Sequence, residues 1–335
     1  MKRLRALYQH KILLGDRILI YLILLLVALG LVMVYDSSVA IALRDFKDPY
    51  RFLREQGKWV FLGLAAFGVL SRVSYTVWQR FAVPMMVGTI VLLLCVFIPG
   101  LGVRTLGANR WLNLGFIVLQ PAEIAKFTVS MYLSVRLATR EKGRLPAFLL
   151  LIGIVCGLVV LEPDLGTASI IFGIALSLYY LSGAAIGQFL LLLPIAGIIL
   201  TTLALTSPYR LQRVMTFLNP ESDPLGSSYQ IRQAIISLGS GGVFGVGLGK
   251  SRQKYEYLPE ANTDSIFAIL GEELGLIGGV TLIGLFVSLV SRLFKIAKAT
   301  ANEQARLFVY GVGSWIGLQT LINLASMVAL FPLTG

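Results

Sequence analysis

A run of 45 residues without a charged side chain, residues 165–209, constrains the fold of this chain more than any other feature. A helix needs about 20 mostly apolar residues to cross the roughly 30 Å hydrocarbon core of a bilayer. The run is therefore long enough for two crossings, and residues 182–187, rich in glycine and small side chains, provide the break between them. Only 14% of the residues are charged, against about 25% in soluble domains. We predict an integral membrane protein.

Nine membrane-spanning helices are predicted, each limited by charged residues or by Gly/Pro breaks. The expected fold class is all-α, a polytopic transmembrane helix bundle that forms one domain over residues 1–335. The predicted spans are residues 18–35, 59–71, 81–98, 116–135, 145–161, 165–181, 188–206, 265–291 and 307–330. The largest polar segment, about residues 207–264, separates the last two spans from the others. Within it, residues 229–238 can form an amphipathic helix, and residues 239–249 are rich in glycine.

The distribution of Lys and Arg predicts the orientation in the membrane. The N-terminus and the short connections 72–80, 136–144 and 292–306 together carry 15 basic residues and three acidic ones. The opposite face carries 13 basic residues and nearly all the acids, mostly in longer loops. The short, basic connections favour a cytoplasmic N-terminus, which places the polar segment 207–264 outside.

The remaining composition excludes several classes of function. The net charge of +12 is better explained by membrane orientation and anionic headgroups than by nucleic acid. Both cysteines lie in apolar runs, and the one histidine, His10, lies in the N-terminal tail. Sequence motifs for a catalytic triad, a nucleotide-binding loop or a zinc site are absent.

The most charged stretch, residues 250–275, contains eight charged side chains and is centred on Asp264. Asp264 follows Pro259 and precedes an apolar run, so its carboxylate is expected at the mouth of a membrane helix. Two interpretations remain open: Asp264 is an N-cap, or it is a functional acid. Glu260, on the same stretch, is a candidate cavity residue.

The segment 120–126, QPAEIAK, places two opposite charges inside the fourth predicted span. Glu123 and Lys126 are three residues apart and therefore share one helical face. Each unpaired charge costs about 2.5–3.5 kcal/mol in a membrane core, so pairing is expected. The pair is either structural or, with Gln120, lines a polar substrate cavity.

Two further carboxylates, Glu162 and Asp164, lie between the fifth and sixth spans. Asp164 can cap the following helix; alternatively, both bind a cation or steer another group. Arginines on the same predicted face suit a diphosphate, because a guanidinium binds such anions through two hydrogen bonds; they equally suit a headgroup-binding rim. The candidates for the diphosphate are Arg110, Arg210 and Arg213.

These motifs resemble the SEDS family (shape, elongation, division and sporulation), the RodA and FtsW proteins, with FtsW slightly favoured. The resemblance extends over nearly the whole chain. Its elements are residues 16–17, 33–38, 109–111, 120–126, 162–167, 217–220, 229–230 and, most strongly, 250–275.

The resemblance implies a ten-helix peptidoglycan glycosyltransferase that polymerises lipid II outside the cytoplasmic membrane, beside a class B penicillin-binding protein. The essential aspartate of the family falls on Asp264, and its conserved glutamate and lysine fall on Glu123 and Lys126. No nucleotide or redox cofactor is expected. The requirement for a divalent cation, Mg²⁺ or Mn²⁺, is left open. The candidate ligands for such a cation are Asp264 and Asp164.

The chain departs from the family pattern at Asn262, where histidine is usual, and at Ser265, where phenylalanine is usual. The resemblance therefore supplies no role for that histidine here. Residues 331–335 correspond to the start of a Pro/Ser/Gly-rich stretch before a final helix, so a missing last helix is expected.

Two other classes of function compete with the enzyme: a lipid II flippase, and a scaffold for a penicillin-binding protein. Spans five to seven have uncharged cores, which argues against a flippase.

Overall fold

The computed structural model describes residues 16–105, 108–113, 115, 118–139, 144–206, 211, 215, 228–255 and 257–331. Within these residues the chain forms ten helices and one small sheet. The helices are α1 (Arg17–Phe46), α2 (Arg51–Leu70), α3 (Tyr75–Cys95), α4 (Pro121–Ala138), α5 (Arg144–Leu161), α6 (Leu165–Leu181), α7 (Ile186–Thr206), α8 (Tyr229–Ser240), α9 (Ile266–Ala299) and α10 (Glu303–Met327). The helical fold class is confirmed.

The segment between α3 and α4, for which no strand was predicted, forms a three-stranded antiparallel sheet. Its strands are β1 (Gly102–Thr105), β2 (Ala108–Asn113) and β3 (Val118–Leu119), paired in chain order. The strands are too short for a clear alternation of apolar and polar residues, so the pattern did not predict them.

By length and composition, four of the described helices can cross a bilayer: α1, α3, α9 and α10. Shorter apolar helices lie at Leu145–Leu161, Leu165–Leu181 and Ile186–Ile195. The predicted count of nine spans therefore stays a prediction. Helix α6 has the predicted bounds, whereas α1 was predicted to end near residue 35 and continues to Phe46.

Packing divides the chain into two compact units. The first unit comprises Met1–Arg72, Thr216–Leu293 and Asn323–Phe331. The second comprises Val73–Met215, Phe294–Ile322 and Pro332–Gly335.

The second unit contains an apolar core built on α4 and α6. Val129 of α4 and Ile174 of α6 are fully buried, and Phe148 of α5 stacks on Tyr179 of α6 with ring centroids 4.5 Å apart. Helix α6 begins at a side-chain cap, because Asp164 accepts a hydrogen bond from the Thr167 amide. This confirms the capping role predicted for Asp164.

In the first unit, α9 contains a break at Gly275, whose φ of 66° and ψ of −165° are not helical. The break leaves carbonyls and amides without partners in the helix. The loop after α8 pairs with them, so the non-helical backbone is hydrogen-bonded on both sides of the break. The bonds run from the amides of Val246 and Gly247 to the carbonyls of Glu272 and Glu273, and from the amides of Leu276 and Ile277 to the carbonyls of Gly242 and Val243.

Helix α8 confirms the predicted helix at residues 229–238. It packs on the first part of α9 in the same unit, where the Ser237 hydroxyl donates to the carbonyl of Ala268 at 2.9 Å. Ile231 and Ala234 are buried on this face of the helix.

Candidate active site

Asp264 lies in the loop that leads into α9, and its side chain is exposed. The loop is fixed by Ser265, whose hydroxyl donates to the Pro259 carbonyl and accepts from the Gln230 side chain, each at 3.0 Å. Helix α9 begins at Ile266, so Ser265 occupies the position immediately before it. The capping interpretation of Asp264 stays a prediction. An exposed carboxylate on a fixed loop can accept a proton from a bound molecule.

Glu260, the other candidate on this loop, is also exposed. Its carboxylate accepts a hydrogen bond of 2.7 Å from the Thr263 hydroxyl, and its backbone has a positive φ of 50°. Glu260 thus shapes the turn immediately before Asp264.

A buried group of charges in the first unit was not predicted as a site. The ammonium of Lys254 lies 2.8 Å from the carboxylate of Asp36 and 3.0 Å from that of Glu273. Burial works to lower the pKa of Lys254, but the two carboxylates outweigh it and raise that pKa. The sequence signal was the presence of Asp36 and Glu273 in otherwise apolar segments, where unpaired charges are costly.

In the second unit, the structure brings together four of the predicted residues. The Arg110 guanidinium, on β2, donates to the backbone carbonyls of Glu162 at 3.2 Å and Pro163 at 2.7 Å. Asp164 accepts hydrogen bonds from the Gln120 side chain at 3.1 Å and the Thr167 hydroxyl at 2.8 Å. These contacts hold β2 and the start of α4 against the loop between α5 and α6.

The Glu162 side chain is fully buried, and neither carboxylate oxygen has a hydrogen-bond partner among the described residues. Loss of hydration, with a smaller contribution from the nearby Asp164 carboxylate, raises the pKa of Glu162 to about 8, although Arg110 opposes the shift. Glu162 is therefore mostly protonated at neutral pH, a state that sequence reasoning did not anticipate.

Glu123 and Lys126 form the predicted ion pair, with a distance of 2.7 Å. Lys126 is 1% exposed, whereas Glu123 is 48% exposed. The Lys126 ammonium also donates to the Gln319 side-chain oxygen at 3.0 Å, and that oxygen accepts a further hydrogen bond from the Trp315 indole at 2.7 Å. Gln319 and Trp315, both on α10, were not predicted to take part; polar side chains within an apolar helix were the available signal.

Arg210 and Arg213 lie outside the described residues. In the part of the chain that the structure describes, no group of three His, Cys, Asp or Glu side chains is placed to hold a metal ion. Asp164, a candidate ligand, accepts three hydrogen bonds, and its role as a cation ligand stays a prediction.

Comparison with known proteins places this arrangement in a family. A family model described as "Cell cycle protein", covering FtsW, RodA and SpoVE, matches residues 16–335. The chain belongs to the FtsW/RodA/SpoVE family. The SEDS resemblance is thereby confirmed.

Among the relatives of this family member, a probable peptidoglycan glycosyltransferase FtsW from Coxiella burnetii is 41% identical over 92% of this chain and 86% of its own length. The corresponding FtsW from Nitrosococcus halophilus is 44% identical over 92% and 82% of the two chains. Stage V sporulation protein E from Bacillus subtilis is 36% identical over 96% and 89%.

Two solved structures extend the comparison. A chain from a structure titled "Structural coordination of polymerization and crosslinking by a peptidoglycan synthase complex" has a TM-score of 0.77 and 28% identity, over 96% of this chain and 89% of that one. RodA of Thermus thermophilus has a TM-score of 0.69 and 27% identity, over 96% and 87%. This family member is thus a multi-pass bacterial membrane protein.

Proposed function

We propose that this protein is a peptidoglycan glycosyltransferase that polymerises lipid II into glycan strands, with Asp264 as the general base. The observation that carries the proposal is an exposed carboxylate on a loop held by Ser265, in a chain similar to proteins named peptidoglycan glycosyltransferases. Asp264 removes the proton from the acceptor sugar hydroxyl, a step that typically contributes about 10²–10⁴-fold to the rate. The deprotonated oxygen attacks the anomeric carbon opposite the leaving diphosphate, as water does in an inverting glycosidase.

The leaving diphosphate needs stabilisation of its negative charge. Arg110 has five N–H donors, and two of its nitrogens donate to the carbonyls of Glu162 and Pro163. Its remaining donors suit a phosphate oxygen. Arg210 and Arg213 remain candidates for the same role. No step is assigned to a divalent cation.

The half-exposed Glu123 carboxylate can accept a hydrogen bond from a sugar hydroxyl, while buried Lys126 fixes its orientation. The surfaces that carry these groups are shaped in part by Gln120, Glu162, Asp164 and Glu260.

The predicted setting is the bacterial cytoplasmic membrane, with a cytoplasmic N-terminus and surrounding lipids. The predicted partner is a class B penicillin-binding protein. The similarity to a chain of a peptidoglycan synthase complex supports that partner.

The test is incubation of the purified protein, with its partner, with labelled lipid II in the presence of moenomycin. We expect polymer from the wild type and none from Asp264→Asn, with Glu55→Gln, an exposed carboxylate on α2, as the matched control. Normal strand growth by Asp264→Asn would reject Asp264 as the base. Transbilayer movement of lipid II without any polymer would favour a flippase, and tolerance of Asp264 and Glu123 changes would favour a scaffold.

A further inference from the structure

A buried ion cluster of Asp36, Lys254 and Glu273 joins parts of the chain that are far apart in sequence. Lys254 is 2% exposed, Glu273 is fully buried and Asp36 is 14% exposed. Asp36 belongs to α1, and it contacts Lys254 across 218 positions of sequence. The loss of hydration of three charged side chains offsets much of the attraction between them, so stability alone does not explain this cluster.

The cluster is also attached to the backbone of the loop that leads to Asp264. The Glu273 carboxylate accepts hydrogen bonds from the amides of Gly249 at 2.8 Å and Ser251 at 2.9 Å. The neighbouring Glu272 carboxylate accepts from the amide of Arg252 at 3.1 Å. Residues 249–254 are therefore tied to the last turn of α9 before its break.

The opposite end of the same loop is tied to the first turn of α9, where the Ala268 amide donates to the Ser265 carbonyl at 2.9 Å. Ser265 contacts the Pro259 carbonyl and the Gln230 side chain, and its amide donates to the Glu260 carbonyl at 2.9 Å. Residues 249–255 and 257–265 thus belong to an arch whose two ends are fixed on the short helical segment between Ile266 and the break. Asp264 lies at one end of this arch.

We propose that Asp36, Lys254 and Glu273 are positioning residues for the Asp264 carboxylate. The cluster fixes one end of the arch to α9 and to α1, so Asp264 meets the acceptor hydroxyl without a further change of the loop. A general base acts only within hydrogen-bond reach of the proton it removes, so loosening the arch lowers the rate of the chemical step. The inference rests on the proposed function, because Asp264 must be the base.

The decisive variant is Lys254→Met, compared with Lys58→Met, which breaks the exposed ion pair between Lys58 and Glu55. We expect Lys254→Met to lower kcat for lipid II polymerisation at least tenfold and to change KM less than threefold. Lys58→Met should leave both constants within twofold of wild type. Asp36→Asn, which keeps the pair between Lys254 and Glu273, should lower kcat less than Lys254→Met does.

Hydrogen–deuterium exchange gives a readout that does not depend on activity. In Lys254→Met and in the milder Asp36→Asn, amides of residues 249–252 should exchange faster, while those of α9 beyond its break should not. Adding Lys254→Met to Asp264→Asn should cause no further loss of residual rate. Unchanged kcat or unchanged exchange in Lys254→Met, with an active wild type, would overturn the positioning role alone. An inactive wild type, in contrast, would overturn the proposed function.

Discussion

Asp16 and Arg292 are joined by an ion pair in which the guanidinium contacts both carboxylate oxygens. Arg292 Nε lies 3.0 and 2.9 Å from the two oxygens, and Nη2 lies 2.6 Å from Oδ2. Asp16 also caps α1 by accepting from the Leu19 amide. Burial favours a higher pKa for Asp16, but these hydrogen bonds outweigh it and hold the pKa below its usual value. The start of α1 and the far part of α9 are therefore on the same side of the first unit.

This contact lies at the start of α1, and the Asp36–Lys254 pair lies further along the same helix. Asp36 lies 20 residues after Asp16, which corresponds to about 30 Å along α1, close to the hydrocarbon thickness of a bilayer. Within the first unit, the arch that carries Asp264 is thus about 30 Å along α1 from the start of that helix. We predict that Tyr257→Cys, in a variant lacking the native cysteines, reacts with an impermeant maleimide from outside the cell. Lys11→Cys should react in inside-out vesicles, and labelling of both from one side would contradict the predicted topology.

Breaking the Glu123–Lys126 pair should have unequal effects on stability. Glu123→Gln leaves the buried Lys126 ammonium without a carboxylate, which typically costs about 3–5 kcal/mol. Lys126→Met leaves a half-exposed carboxylate that water can solvate, so we expect a loss of about 1 kcal/mol or less. Thermal unfolding in detergent measures the difference. A larger loss for Lys126→Met than for Glu123→Gln would be inconsistent with the observed burial.

Glu162 should make stability depend on pH. Its pKa in the folded protein is about 8, above the value of 4.5 expected when the chain is unfolded. The folded state then binds the proton more strongly, so the favourable contribution is complete below pH 4.5 and is lost as the pH rises through about 8. In Glu162→Gln this loss should disappear, so melting temperatures of the variant should fall less between pH 5 and pH 9 than those of the wild type. If the melting temperatures of the variant and the wild type changed equally with pH over that range, a buried, protonated Glu162 would be excluded.

Gly275 should be far less replaceable than another glycine of the same helix. Its φ is positive, and a Cβ atom there would lie 2.5 Å from the Val243 carbonyl oxygen and in contact with the Gly245 amide nitrogen. Gly275→Ala should cost at least about 2 kcal/mol, because backbone strain of about 1–3 kcal/mol adds to the clash. Gly284→Ala, which meets nothing within 4 Å, should gain roughly 0.5–1 kcal/mol. Thermal unfolding of the two variants tests the contrast, and equal melting temperatures would contradict it.

Local pattern predicted the elements whose signals lie close together in sequence. Helix α6 has the predicted bounds because a capping Asp164 precedes it and a glycine follows its end. Glu123 and Lys126 pair as expected because three residues of helix bring them to one face.

Features that depend on distant partners were not predictable. The end of α1 was placed before Asp36 because a charge normally ends an apolar span, yet Lys254, 218 positions away, compensates that charge. The same applies to Lys126, which depends on Gln319 from α10. The break at Gly275 could not be predicted either, because one glycine in an apolar helix is usually compatible with a continuous helix.

The break in α9 also has a consequence for biogenesis. Its carbonyls and amides form hydrogen bonds with residues that precede them by about 30 positions. These bonds therefore form only after the ribosome has synthesised both segments. A nascent chain that ends before Ile277 would leave polar backbone exposed at the translocon. The segment from α8 to the second half of α9 should therefore fold late in synthesis. We expect it to fold as one cooperative unit.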